Sequence, residues 1–374
     1  MHYRTLNEDK VSLLGFGAMR LPVNDDDSIN EDEAIKMVRL AIDSGVNYVD
    51  TAFPYHGGKS EVVIGKALKD GYREKILLAD KLPVWFVKEQ ADVRSLFEKQ
   101  LDRLDVDRID YYLIHCLDVD NWKITLDQNV IPALEELKAE GRIGRIGFSF
   151  HDHYELFEEI VDYYDWDFCQ IQLNYVDIEF QAGMKGLRYA ASKGIPVVIM
   201  EPLKGGRITD AVPPAIQEIW DQAPVKRSPV EWAFKWVASL PEVMTILSGM
   251  SSMEQLEQNL EIFSRDDLAR MGEDEKATVD KVGDLYRKLI KYPCTECKYC
   301  MPCPSGVAIP RLMRFLNDWI VYEQNPKLKE EYLTWMEQGE HASNCVKCGA
   351  CEQACPQHLP IMKAMDEVVE SFGR

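Results

Sequence analysis

The sequence predicts an α/β chain in three parts: a parallel (β/α)8 TIM barrel over residues 1–265, a helical connector over 266–290, and a small helical domain over 291–374 in which cysteines hold the cofactor. Three observations lead there. Eight short apolar, β-branched segments alternate with stretches of helical period through the first part. Eight of the ten cysteines lie between Cys294 and Cys355, which marks a boundary in composition. The chain is 46% hydrophobic and 28% charged, the balance of a folded globular protein, and no run reaches the about 18–20 apolar residues of a membrane span.

The eight strand segments are 13–19, 48–52, 76–82, 109–116, 143–150, 168–175, 196–203 and 243–250. Between them 31–44, 89–104, 131–140 and 229–239 repeat apolar residues at helical spacing, and Gly45 and Gly141 stand where helices end. A doubly wound open sheet has the same alternation. Against it, Gly15-Phe16-Gly17 leads into a polar loop rather than a G-x-G-x-x-G turn opening a helix. In addition, the polar residues that interrupt the strands, Asp50, Lys81, His115, Ser149, Gln170, Asn174 and Glu201, sit near strand C-termini, where the mouth of a barrel lies.

The cysteine runs are Cys294-x2-Cys297-x2-Cys300-x2-Cys303-Pro and Cys345-x2-Cys348-x2-Cys351-x3-Cys355-Pro. The second matches the bacterial iron–sulfur spacing, in which three closely spaced thiolates wrap one cluster and a Cys-Pro turn aims the fourth at another. Disulfides would need an oxidising compartment, yet residues 1–10 are polar with no export signal, so a cytoplasmic location is expected. Structural zinc takes pairs of C-x2-C hooks rather than triplets closed by Cys-Pro. Residues 291–374 resemble the helical dicluster ferredoxin domains. That resemblance implies two 4Fe–4S clusters, one on Cys294, Cys297, Cys300 and Cys355, the other on Cys345, Cys348, Cys351 and Cys303. The first run departs from the family pattern, with two residues instead of three before its last cysteine. The segment 309–322 between the runs is apolar at helical spacing, as a helical insert requires.

Taken singly, Tyr55 reads as a loop aromatic, His115 as a core histidine, and Asp50 with Lys81 as a structural ion pair. Together, at the ends of the second, third and fourth strands, they form a proton-transfer unit. A carbonyl that accepts hydride needs a proton as its oxygen becomes an alkoxide, and a phenol with a pKa near about 10 gives one up only when its anion is stabilised. Lys81 beside Tyr55 supplies the cation, Asp50 orients it, and His115 hydrogen-bonds the substrate oxygen. The run from Gly45 through Asp50 to Tyr55, then Ser60-Glu61, Lys81 and His115, resembles the signature of the aldo-keto reductases over residues 1–263. This implies reduction of a small carbonyl substrate, or oxidation of the alcohol, with NADP(H) or NAD(H).

The same resemblance implies that Ser149 and Gln170 hold the nicotinamide carboxamide, with Phe150 where the family has Asn. It puts Met200 where many members stack an aromatic on the ring, although a core methionine fits that strand equally, and the place of 201–207 after the seventh strand makes Gly205 part of a phosphate loop or of an ordinary turn. Ser251, Gln255 and Asn259 fall at the adenosine end, where Gln255 replaces the arginine that reads NADP, so both dinucleotides stay open. Trp85, Trp122 and Tyr175 fall near the mouth. His151-Asp152-His153 has no third metal ligand nearby in sequence.

Nicotinamide moves two electrons and each cluster moves one, so the halves need an intermediary. Three functions fit: an enzyme whose clusters exchange electrons with a flavin or with a ferredoxin- or flavodoxin-like carrier, a carbonyl reductase with structural clusters, or an electron-transfer subunit without turnover. The intact set of four residues counts against the last. Nucleic acid is an unsuitable partner, because 43 basic against 63 acidic residues leave a net charge of −20.

Overall fold

A computed structural model describes residues 1–6, 9–210, 212–294, 300–322, 325–336, 340–355 and 358–373. It divides into two compact units, Met1–Pro202 with Ala233–Met271, and Leu203–Trp232 with Gly272–Arg374.

The chain begins with a hairpin of β1 (Tyr3–Leu6) and β2 (Asp9–Ser12). Eight parallel strands follow: β3 (Leu14–Gly17), β4 (Tyr48–Asp50), β5 (Leu77–Leu82), β6 (Ile109–Leu117), β7 (Ile143–Phe150), β8 (Phe168–Gln172), β9 (Val197–Met200) and β10 (Val243–Ser248). They close into a barrel in sequence order, with β10 pairing back onto β3. Every strand segment read from the sequence is therefore present, and the open-sheet alternative is excluded. Gly45 and Gly141 end their helices at φ of 98° and 75°, a region that costs side chains other than glycine energy.

Inside the barrel Tyr48, Ala79, Tyr111, Leu113, Phe168, Val198, Met244 and Leu247 form a continuous apolar core. The hairpin, which the sequence reading missed, adds Val11 to it. Its strands are four residues each and mostly polar, too short for a periodic signal. Arg4 donates to the carbonyls of Ala238 and Leu240 at 2.5 and 2.7 Å, and Asp9 accepts from Tyr111 Oη at 2.8 Å.

Gly65 lies on the helix Ser60–Ala67 where it meets Leu104, at the end of the helix Ala91–Leu104. A methyl group on Gly65 would stand 2.3 Å from the Leu104 carbonyl oxygen, which no side chain can occupy. This close approach brings Glu61 and Gln100 together behind β5.

In the second unit the helices Ile309–Val321 and Ile361–Phe372 pack around Leu312, Met313, Leu316, Tyr332, Ala364, Met365 and Phe372. Of the segment 266–290, Glu273–Leu289 forms a helix, which belongs to this unit. Residues 203–232 belong to this unit, where Arg227 pairs with Glu275 at 2.8 Å. Among the described residues no helix is long and apolar enough to cross a membrane.

Gly65→Ala is expected to lower stability by about 1–3 kcal/mol through overpacking, read as a lower thermal midpoint of the barrel.

Candidate active site and cysteine site

The barrel brings Asp50, Tyr55, Lys81 and His115 together from three successive strands, with Asp50 on β4 and Tyr55 in the turn after it, Lys81 on β5 and His115 on β6. Asp50 ends β4, and Lys81 points inward from β5, where its Nζ donates to Asp50 Oδ1 at 2.6 Å and to the Thr51 carbonyl at 2.7 Å. Both side chains are buried. Tyr55 opens the short turn Tyr55–Gly58, in which His56 and Gly57 take positive φ, and its ring lies 5.0 Å from Lys81 Nζ. His115 comes from β6, its ring centroid 6.0 Å from that of Tyr55 and 5.2 Å from that of Trp85.

The register between β6 and β7 shifts between Ile114 and Leu117, and Cys116 sits in the left-handed region at φ 57°. A bulge of this kind re-aims a side chain and leaves a backbone group to be satisfied elsewhere. Here the Cys116 N–H donates to Ser149 Oγ at 2.8 Å.

Protonation follows from burial and neighbours. Burial pulls the Lys81 pKa down, but Asp50, Tyr55 and Asp80 outweigh it, so the ammonium ends raised and stays charged. Burial pushes Tyr55 up, and the opposing pull of Lys81 does not cancel it. The phenol is therefore favoured in its protonated form, rather than tipped toward phenolate as the sequence reading stressed. Burial, then Lys81 and His151, push His115 well below the ordinary histidine range, so its imidazole is neutral and donates through one ring nitrogen only.

The residues implied for the dinucleotide take separate positions. Ser149 and Gln170 are buried on β7 and β8. Gln170 Nε2 donates to Met200 Sδ at 3.4 Å, while its Oε1 is buried with no hydrogen-bond partner. A buried amide oxygen left open in this way matches the N–H of a ligand amide. Gln255 Oε1 accepts from Ser251 N at 2.9 Å and from its Oγ at 3.3 Å, and Asn259 Nδ2 donates to Ser248 Oγ at 3.0 Å. Gly205 has φ 68° in the turn Lys204–Gly206, and Arg207 pairs with Asp318 at 2.6 Å and Glu331 at 3.0 Å, all within the second unit.

Of the other residues singled out, Trp122 donates its indole N–H to Glu159 at 2.9 Å, and His153 Nδ1 lies 2.8 Å from Asp152 Oδ1. Tyr175 is buried. That Glu61, Asp80 and Gln100 form a buried polar cluster behind Lys81 escaped the sequence reading, which had Glu61 only within the family signature. Their signal was Asp80 itself, a charge within an apolar strand.

Cys300, Cys303, Cys345, Cys348 and Cys351 line one pocket of about 230 Å3, together with Val307, Ile309, Ile361 and Met365. Cys303 thus shares a cavity with all three members of the second triplet, as does Cys300. None of the described cysteines is in a disulfide. Among the described residues no three His, Cys, Asp or Glu converge on a single-ion centre. Thiols spread around an apolar pocket suit a multi-atom cluster, whose ligands stand farther apart than those of one zinc ion. Cys355 is buried in the adjacent core, while Cys297 lies outside the described residues.

A barrel with an acid–base set at its C-terminal mouth, joined to a cysteine site, defines a redox enzyme. Residues 13–281 match the model of the aldo/keto reductase family, and residues 293–359 match that of the 4Fe-4S dicluster domain. The chain belongs to the aldo/keto reductase family and is an oxidoreductase carrying a C-terminal 4Fe–4S domain. It is 30% identical to L-galactose dehydrogenase of Arabidopsis thaliana over 292 residues, 71% of this chain and 88% of that one. It is 26% identical to the NADH-specific methylglyoxal reductase of Escherichia coli over 258 residues, 58% of this chain and 78% of that protein. Among solved structures it resembles the holo form of aldo-keto reductase AKR11C1 from Bacillus halodurans, with a TM-score of 0.64 and 25% identity, covering 75% of this chain and 96% of that one.

Removing the cation should strand a buried carboxylate. Lys81→Met is expected to cost about 3–5 kcal/mol in thermal unfolding, with much of the loss recovered when Asp50→Asn is added.

Proposed function

We propose that this chain reduces a small carbonyl compound, or oxidises the corresponding alcohol, with Tyr55 as the proton donor and acceptor. The observation that carries the reading is the buried Asp50–Lys81 pair beside a phenol held in its protonated form. A bound nicotinamide supplies or accepts the hydride. Ser149 and Gln170 would hold its carboxamide, an assignment supported by the open Oε1 of Gln170, and Met200, in contact with that glutamine, would pack on the ring. The names of the relatives, a dehydrogenase and an NADH-specific reductase, support the same chemistry, and the dinucleotide is NAD(H) or NADP(H).

In the reductive direction Tyr55 gives its proton to the carbonyl oxygen as negative charge builds there. Lys81 then faces a phenolate, and its ammonium stabilises that anion at close range in a site shielded from water. Asp50 and the Thr51 carbonyl keep the lysine charged and aimed. His115, being neutral, orients the substrate oxygen without competing as an acid. In the oxidative direction the same groups run in reverse, with Tyr55 taking the alcohol proton.

For the second domain we infer two 4Fe–4S clusters. Cys303, Cys345, Cys348 and Cys351 would hold one, supported by their shared pocket. Cys294, Cys297, Cys300 and Cys355 would hold the other, by the spacing of the sequence. Such clusters supply single-electron transfer. In this reading the chain exchanges those electrons with a bound flavin or with a ferredoxin- or flavodoxin-like carrier, in a reducing cytoplasm.

Tyr55→Phe is expected to lower carbonyl reduction by about 10²–10⁴-fold while leaving the visible absorbance of the clusters unchanged. Retained turnover in that variant would remove Tyr55 as the acid. For the electron path, anaerobic stopped-flow mixing with NADH or NADPH should bleach the clusters, either directly through a bound flavin or once flavin is added. Clusters that stay oxidised while aldehyde is consumed would reduce the second domain to a structural role.

A further inference from the structure

Strand residues alternate between the two faces of a barrel, so Asp80 points away from the site that Lys81 faces and toward the surrounding helices. There it meets a second buried polar cluster that the reaction does not use. Glu61, from the helix Ser60–Ala67, and Asp80 are both fully buried. Gln100, from the helix Ala91–Leu104, presents its amide nitrogen to three acceptors: Glu61 Oε1 at 3.1 Å, Asp80 Oδ2 at 2.8 Å and the Lys81 carbonyl at 3.0 Å. The Lys81 carbonyl can only accept, which fixes that end of the amide as nitrogen and leaves Oε1 to accept from the Tyr112 hydroxyl. The outer carboxylate oxygens are also engaged, Glu61 Oε2 by Arg103 at 2.6 Å and Asp80 Oδ1 by the Lys81 N–H at 2.8 Å.

Counting hydrogens decides the protonation of this cluster. An amide nitrogen carries two, and here it faces three acceptors. Glu61 Oε1 and Asp80 Oδ2 converge on that one nitrogen, and two buried carboxylates brought so close without water cannot both remain ionised. One further proton, placed between the two carboxyls, satisfies every atom.

We propose that Glu61 and Asp80 share a single proton, with Asp80 the neutral member because Glu61 carries the ion pair to Arg103. As a positioning pair they hold the Lys81 main chain and withhold a second negative charge from Tyr55. The second part rests on the reading of Tyr55 as the proton donor and acceptor. Burial and then Glu61 push Asp80 well above the ordinary carboxylate range, in the direction the geometry requires. An ionised Asp80 would raise the Tyr55 phenol further. The charged and titratable groups around Asp80 are Glu61 and Arg103 from the two helices, Tyr112 from β6, Lys81 beside it on β5, and Asp50 and Tyr55 across the strand.

Two measurements test the pair, one of them independent of turnover. Infrared spectroscopy of the full-length protein at neutral pH should contain the C=O stretch of a protonated carboxylic acid, and Asp80→Asn should abolish it. A band missing from the wild type, or surviving in Asp80→Asn, overturns the shared proton whether or not the enzyme turns over. The kinetic arm uses Glu61→Gln, which removes the partner, lets Asp80 ionise and raises the phenol. Alcohol oxidation at fixed pH should then fall about tenfold for each unit of that rise, in kcat rather than KM. Adding Asp80→Asn to Glu61→Gln should restore the rate. A loss that Asp80→Asn leaves unrepaired would mean a merely structural cluster and overturn the charge argument.

Discussion

The site depends on the ion pair between Lys81 and Asp50. An ammonium and a carboxylate taken out of water cost several kcal/mol each, and only close, well-directed contact returns it. The barrel meets that condition by pairing β4 with β5, so that Asp50 lies opposite Ala79 and Lys81 crosses to it from two residues farther along. The Thr51 carbonyl takes another of the ammonium hydrogens. With the lysine fixed in this way, Tyr55 and His115 need only be delivered to its surroundings by a turn and a bulged strand. The bulge at Cys116 and the positive φ of His56 are backbone irregularities placed next to the chemistry, where such strain is most often found.

The protonation states follow from the same low-polarity surroundings. Burial keeps the phenol protonated and the imidazole neutral, while the carboxylate partner keeps the lysine charged. These three directions divide the labour among groups that compete for protons in water. Behind the strand the problem recurs with the opposite charge, since two buried carboxyls, Glu61 and Asp80, meet there and Arg103 pairs with Glu61.

Most of the fold was legible because it rests on periodicity. All eight barrel strands and the helices after β3, β5 and β6 carry runs of apolar residues at the right spacing, and Asp50, Lys81 and His115 stood out as polar residues ending apolar strands. The hairpin of β1 and β2 was invisible because its register depends on contacts far along the chain, such as Asp9 with Tyr111. The placement of residues 203–232 with the second unit was hidden for the same reason, since it follows from Arg227 with Glu275. The Glu61, Asp80 and Gln100 cluster joins two helices and a strand through side-chain hydrogen bonds, which leave no periodic trace. The cysteine runs, by contrast, are local in sequence, and Cys300 and Cys303 of the first line one pocket with Cys345, Cys348 and Cys351 of the second. Ligand geometry on a short loop is local, and local chemistry survives in sequence.

The pH dependence of the two reaction directions tests the central claim most directly. Reduction requires the protonated Tyr55, whose pKa is raised, so its rate should hold steady through neutral pH and decline only above the ordinary tyrosine range of about 10. Oxidation requires the phenolate and should rise with pH over the same interval. A decline in reduction near the ordinary histidine range of about 6.5 would instead make His115 the acid and contradict the account.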